Sequence, residues 1–390
     1  MAGDDEAGVR DLTFLSLELN NFLSYKRARI DFGDFVALVG TNSSGKSNAV
    51  SAIKLLREIS YHGLPTAIAK RGGFDQLRHR SAGHPYNPGI RLTFRIGNSN
   101  PSTYELFFSA IKGKKYEVKR ENAAVYVGKE FFSFTRRGND LSWTDQEGGK
   151  IFDSTSLGRD FTVPSDQSVI SQSGLSLAAR YVASVLQSTQ HLEINPSVVG
   201  ELQDPTSTRE FEPNGSNLAS IIESFTSHQR QVLADQLSAI VPGIDRIGVQ
   251  YLADKLTIYF YQRVAGHDRE FQAKQMSDGT LRCLGILAAM LQNPSPALLV
   301  IEEPETAIHL GALDTLVDIL RQQAENAQVV ITTHSADIVD KLDLDDIRVV
   351  WSENGESHVS EVAEHSREPV RMRLITPGAL LRADALDAAV

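Results

Sequence analysis

A lysine, a serine, two adjacent glutamates and a histidine, each set at the end of an apolar run, are the residues of this chain best spaced for chemistry. Gly40-Thr41-Asn42-Ser43-Ser44-Gly45-Lys46-Ser47 has the pattern G-x-x-x-x-G-K-S. Glycines at its two ends let the backbone fold so that successive N–H groups converge on an anion, and a helix starting there adds partial positive charge. Lys46 would then reach the β- and γ-phosphates of a nucleoside triphosphate, and the Ser47 hydroxyl would take one position on Mg²⁺. Asn42, Ser43, Ser44 and Asn48 complete the expected cradle.

Two further apolar runs end in polar groups. Ala297-Leu298-Leu299-Val300-Ile301 leads into Glu302-Glu303-Pro304-Glu305. At the C-terminal end of a buried parallel strand, the first acid could hold Mg²⁺ through its water shell and the second could polarise an attacking water. Val329-Val330-Ile331-Thr332-Thr333 leads into His334, which could contact the γ-phosphate and that same water. Ser277 and Gly279, in Gln275-Met276-Ser277-Asp278-Gly279-Thr280, stand just before an apolar helix, a second ready anion site or a simple N-cap.

The elements that must carry these residues are legible from periodicity. Residues 35–39 read as a strand buried on both faces. From Asn48 to Ser60, Val50, Ile53, Leu56 and Ile59 share one helical face. Leu15, Leu17 and Leu19 alternate like a half-buried strand, and 28–32 is its expected neighbour. Residues 61–88 read as a long surface loop, 91–135 as an antiparallel meander, and 138–156 as a linker or exposed loop. Helices are expected over 173–192 and 217–241, and a strand over 256–262. Residues 1–10 read as a disordered leader.

Composition narrows the class. The chain has 390 residues, 41% apolar and 23% charged, which is ordinary for a globular protein with ample core. Its single cysteine, Cys283, excludes a disulfide framework or a cysteine-based zinc site and suits a reducing cytoplasm. The start is acidic rather than signal-like, and the richest apolar stretch is broken by Asn293, Pro294 and Pro296, so no membrane association is expected. A net charge of −10 argues against indiscriminate coating of nucleic acid, though not against a local basic groove.

Taken together, the phosphate loop, the Ser-Asp-Gly-Thr segment, Glu-Glu-Pro-Glu and Thr-His-Ser resemble the ABC-type ATPase heads of the RecF, SMC and OLD-like branch. Asn21-Phe22-Leu23-Ser24-Tyr25 is similar to that branch as well, and the nearest likeness is to small bacterial AAA-family ATPases without a coiled coil. The resemblance is specific over residues 13–57 and 270–340. It implies an α/β P-loop NTPase fold of ABC type, with a mixed central sheet, an antiparallel β subdomain and a helical signature lobe. The corresponding division is 11–95 and 266–355 for the two parts of the head, 96–265 for the inserted lobe and 356–390 for a C-terminal tail.

It also implies ATP and Mg²⁺ as cofactors, and a homodimer in which Ser277 and Gly279 of one copy meet the ATP on the phosphate loop of the other. Glu303, His334 and Lys46 take catalytic roles on this reading, while Ser47, Glu302 and Gln76 attend the metal. Asp278 stands where the signature usually has glycine, and Glu302 where the metal acid is usually Asp. Three functions fit: an ATP-driven switch on DNA in repair or in defence against invading elements, with a separate nuclease or toxin effector; an OLD-type nuclease; or the motor subunit of a transporter. Lys112, Lys114, Lys115, Lys119, Arg120, Arg136 and Arg137 favour the first. The second has only Asp343, Asp345 and Asp346 beyond His334, with little room for another domain. The Asn-Phe opening and the strand-rich insertion speak against the third.

Overall fold

The computed structural model describes residues 11–80, 86–113, 115–144, 151–153, 163–208, 210–264 and 266–389. The expected leader, Lys114 and part of the 138–156 interval lie outside them. In chain order the strands are β1 (Leu12–Phe22), β2 (Tyr25–Asp31), β3 (Phe35–Val39), β4 (Gly89–Ile96), β5 (Ser102–Ile111), β6 (Lys115–Val127), β7 (Glu130–Arg137), β8 (Asp140–Thr144) and β9 (Ile151–Asp153). They continue with β10 (Thr189–Leu192), β11 (Ile244–Leu252), β12 (Lys255–Val264), β13 (His267–Gln272), β14 (Leu298–Glu302), β15 (Gln328–Thr333), β16 (Ile347–Glu353) and β17 (Glu356–Glu361).

The strand that feeds the phosphate loop lies inside a six-stranded sheet of order β10-β14-β15-β3-β16-β17. Its pairs are parallel except β16 with β17. Because side chains alternate across a strand, each inner strand feeds two cores. Phe35, Ala37 and Val39 join Leu299, Ile301, Val329 and Ile331 on one face. Val36 and Leu38 join Leu298, Val300 and Val330 on the other. Burial on both sides explains why these strands read as unbroken apolar runs.

The first face is covered by helices Leu218–Ser224, Ser227–Ile240, Asp278–Leu291 and Leu310–Gln323. Against the second pack helices Lys46–His62 and Leu177–Gln187 and an antiparallel sheet of order β2-β1-β4-β5-β6-β7-β8-β9. A third sheet, β11-β12-β13, packs on the helical side through Ile247, Ile258 and Phe260.

Four local expectations need correction. Residues 61–88 are not simply a surface loop: helix Leu64–Ala69 and the turn Phe74–Gln76 bury Leu64, Ala67, Ile68, Phe74 and Leu77. The helix expected over 173–192 ends at Gln187, and the chain continues as β10, since Thr189–Leu192 hydrogen-bonds along β14. The span 217–241 breaks at Phe225 because Thr226 starts a new helix, its side chain and that of Gln229 forming a capping box. Arg136 is no part of a basic surface. It lies on the same side of β7 as Phe132 and Phe134 and is fully buried.

That buried guanidinium donates to the carbonyls of Gly138, Val163, Pro164 and Gln167. Glu121, also fully buried, lies 3.9 Å away and accepts from Tyr104, Ser168 and the backbone N–H groups of Val169 and Ile170. The pair therefore pins residues 163–170 to the antiparallel sheet. Arg120 is likewise engaged, 3.7 Å from Glu105 and over the Phe107 ring, whereas Lys112, Lys115, Lys119 and Arg137 are exposed.

Candidate functional site

The phosphate loop begins where β3 ends, at the C-terminal edge of the parallel strands. A side chain at Gly40 would place its Cβ 2.0 Å from the Val350 carbonyl oxygen, so only glycine allows the loop to pass β16 so closely. Gly45 has φ of 116°, and a Cβ there would lie 2.3 Å from the Ser357 hydroxyl. The Tyr25 hydroxyl donates to the Gly45 carbonyl at 3.0 Å. Asn48 and Ser357 both donate to the Ser24 hydroxyl, each at 2.7 Å, tying the loop helix to β17 through the Asn21–Ser24 turn.

Lys46 lies almost wholly within the loop it follows, donating to the carbonyls of Gly40 at 2.7 Å and Thr41 at 2.8 Å. Burial pushes its ammonium pKa down, opposed by the charges of Glu303 and Glu305. The buried Ser44 hydroxyl has no hydrogen-bond partner among the described residues. A convergent loop with an inward lysine fits an anion.

Asn42, Ser43, Gly45, Lys46, Ser47, Asn48 and Glu303 line one cavity of about 320 Å³. Glu303 reaches it because the chain turns sharply after β14: its φ is 45°, unusual for a residue with a side chain, and its N–H is held by Thr332. His334 stands 3.5 Å from the Glu303 carboxylate, Nδ1 to Oε1. Glu305 is tied to the end of β15, accepting from the Thr333 hydroxyl at 2.6 Å.

Glu302 is held differently. Burial works against its charge, yet hydrogen bonds from His191 and Ser47 and the nearby Lys54 ammonium prevail and hold its carboxyl at about 2. His191 meets Glu302 Oε1 at 2.8 Å and Lys54 meets the same oxygen at 3.6 Å. Burial pushes the His191 pKa down despite that carboxylate.

A family model described as "AAA domain, putative AbiEii toxin, Type IV TA system" matches residues 35–340, from the strand before the phosphate loop to just past His334. The chain belongs to this AAA-domain family. The fold of this AAA-domain chain is similar to an SMC head solved in complex with the C-terminal winged-helix domain of ScpA, at a TM-score of 0.56 and 13% identity over 91% of this chain and 99% of that one. It is also similar to an SMC head with an extended coiled coil, bound to the C-terminal domain of ScpA derived from Pyrococcus furiosus, at a TM-score of 0.55 and 11% identity over 93% and 99%. A search of curated proteins finds no match. The AAA-domain chain is thus an ABC/SMC-type P-loop ATPase in fold.

Within this AAA-domain fold, Lys46, Ser47, Asn48, Glu302, Glu303 and His334 come together around the end of β3. Gly40 and Ser44 shape the loop without lining the cavity. Ser277 and Gly279 do not join them. Ser277 caps helix Asp278–Leu291 by accepting from Thr280 N–H, and both residues line a separate opening of about 440 Å³ with Ala307, Ile308 and His309. Gly279 is required there, since a Cβ would lie 2.2 Å from the Ala307 carbonyl oxygen. Gln76 is exposed and does not line the phosphate-loop cavity.

Sequence reasoning missed His191, Lys54, Ser24 and Ser357. His191 sits in Thr189-Gln190-His191-Leu192, whose three polar residues carry no strand signal although all four are buried. The acids beyond His334 are spent in ion pairs: Asp343 and Asp346 both hold Arg321, and Asp345 holds Arg367. The segment carrying them leads into β16 and β17, which extend the central sheet. Among the described residues no helix is long and apolar enough to cross a membrane.

Proposed function

We propose that this AAA-domain protein binds and hydrolyses ATP with Mg²⁺, and that ATP joins two copies head to head as a cytoplasmic switch. Lys46 and the loop N–H groups hold the phosphates. Glu303 polarises the attacking water, and His334 orients that water and senses the outer phosphate. Ser47 and Glu302 would hold Mg²⁺, which would neutralise charge on the phosphates, whereas exposed Gln76 lies off the cavity and takes no part. The observation that carries this reading is the shared cavity of Lys46, Ser47 and Glu303, with His334 3.5 Å from Glu303. A polarisable water site opposite an anion loop has little purpose in a protein that only packs.

The dimer is supported by what the fold separates. Ser277 and Gly279 face their own opening, away from the phosphate loop of the same chain, as expected of residues that complete a partner's site. In this reading residues 11–95 and 266–355 form the bulk of the head, while 96–265 lends β10 to its central sheet besides forming the inserted lobe, and 356–390 lends β17 besides forming the tail. Closure and release then act on DNA in repair or in defence against foreign elements, through a separate effector. The family description names a toxin system, which favours a toxin in that role over a nuclease. Exposed Lys112, Lys115, Lys119 and Arg137 are basic groups available for DNA.

The test is Glu303→Gln. ATP binding should persist, turnover should fall ~10²-fold or more, as for a lost general base, and sedimentation should show an ATP-dependent dimer. Unchanged hydrolysis by a monomer would overturn the reading.

A further inference from the structure

His191 lies on β10, the edge strand of the central sheet, in register with Val300 of β14. Its Nε2 points at Glu302 Oε1 across 2.8 Å, and the pair is 5% and 17% exposed. The other ring nitrogen, Nδ1, is buried with no partner among the described residues. That orphan costs free energy, so the ring is set for its contact with the carboxylate rather than for balanced hydrogen bonding.

Lys54 approaches from the loop helix. Its ammonium is 3.6 Å from the same Glu302 oxygen and 3.3 Å from Glu193 Oε2. Ligand atoms of His191, Glu193 and Glu302 lie within 4.8 Å of one another, the dimensions of a small cation site. The lysine is ion-paired with both carboxylates, however, and already supplies the positive charge that a second cation would bring.

We infer that His191 and Lys54 are positioning residues for Glu302, fixing the carboxylate beside Ser47 so that it can serve the divalent cation. Both contacts fall on Oε1, so the group can rotate only by losing both. Glutamate has one more rotatable bond than aspartate, and this brace removes the freedom that the extra methylene adds. The inference rests on the nucleotide reading above and concerns how its metal acid is held. Residues that orient metal-binding carboxylates commonly change metal affinity when replaced, by ~10- to 100-fold.

The test uses the full chain, its ATP turnover as a function of Mg²⁺ concentration, and binding of a fluorescent ATP analogue in excess chelator. His191→Phe keeps the ring volume and removes the donor. It should raise the Mg²⁺ concentration for half-maximal turnover ~10-fold or more, while metal-free nucleotide affinity stays within about twofold. His191→Gln, which restores a donor, should recover much of the loss. Mg²⁺ dependence identical to wild type in His191→Phe would overturn the inference and leave the nucleotide reading standing. A wild-type chain that binds no nucleotide would overturn both. If His191→Phe fails to fold by circular dichroism, Lys54→Met decides on the same Mg²⁺ readout: an increase supports the brace and no change overturns it.

Discussion

Thr333 donates its hydroxyl to Glu305 across 2.6 Å, joining the end of β15 to the turn that follows β14. The same hydroxyl accepts the Ser335 N–H at 3.0 Å, and Glu305 also faces the His334 N–H at 3.4 Å. One fully buried threonine therefore fixes the relative position of the strand bearing His334 and the turn bearing Glu303.

Thr333→Val should separate these roles. It removes a donor from a carboxylate whose other oxygen, Oε2, is already buried without a partner. Urea unfolding should show a loss of about 1–3 kcal/mol, and nucleotide turnover should fall by more than nucleotide binding.

Lys46→Ala should abolish ATP binding, read by titration with a fluorescent analogue. The lysine donates to the Gly40 and Thr41 carbonyls, so the loop's own shape should also loosen and its amides should exchange faster. Retained affinity would mean that the loop holds something other than a triphosphate.

Ser277→Arg places a bulky cation at the mouth of the second opening. Monomers should bind ATP normally, because this residue is absent from the phosphate-loop cavity, whereas ATP-driven association should be lost in light scattering. An unaffected dimer would remove Ser277 from the interface.

Cys283 provides a pH test independent of function. Burial pushes its thiol up to about 12, so native protein should react very slowly with a disulfide reagent at pH 8 and rapidly in denaturant. The group stays protonated when folded but ionises near 9 when unfolded. Its stabilising contribution is complete below pH 9 and is lost as pH rises toward 12, which alkaline unfolding curves would reveal.

What the sequence made legible follows from locality. Residues 35–39, 298–301 and 329–331 are unbroken apolar runs because both faces of the central sheet are covered, and each ends at chemistry a few residues on. The Glu302 brace was hidden because His191 and Glu302 are 111 positions apart and meet only through parallel pairing. A tail of polar residues after a helix gave no hint that Thr189–Leu192 would be buried. Arg136 is a different case. Its strand parity with Phe132 and Phe134 is legible in the sequence, and the alternation prevails over the charge. Residues 61–88 hid helix Leu64–Ala69 because six residues are too few for a period to emerge.

Strand β3 lies between β15 and β16, so the loop that follows it takes shape only with partners encoded roughly three hundred residues later. During synthesis at about 5–20 residues per second, Lys46 therefore leaves the ribosome tens of seconds before the strands that flank its own. The emerging N-terminal part carries the motif without the pocket, and nascent chains released before β15 should show no retention on immobilised ATP. On the proposed reading, nucleotide binding waits for β15 and β16 however early Lys46 is made.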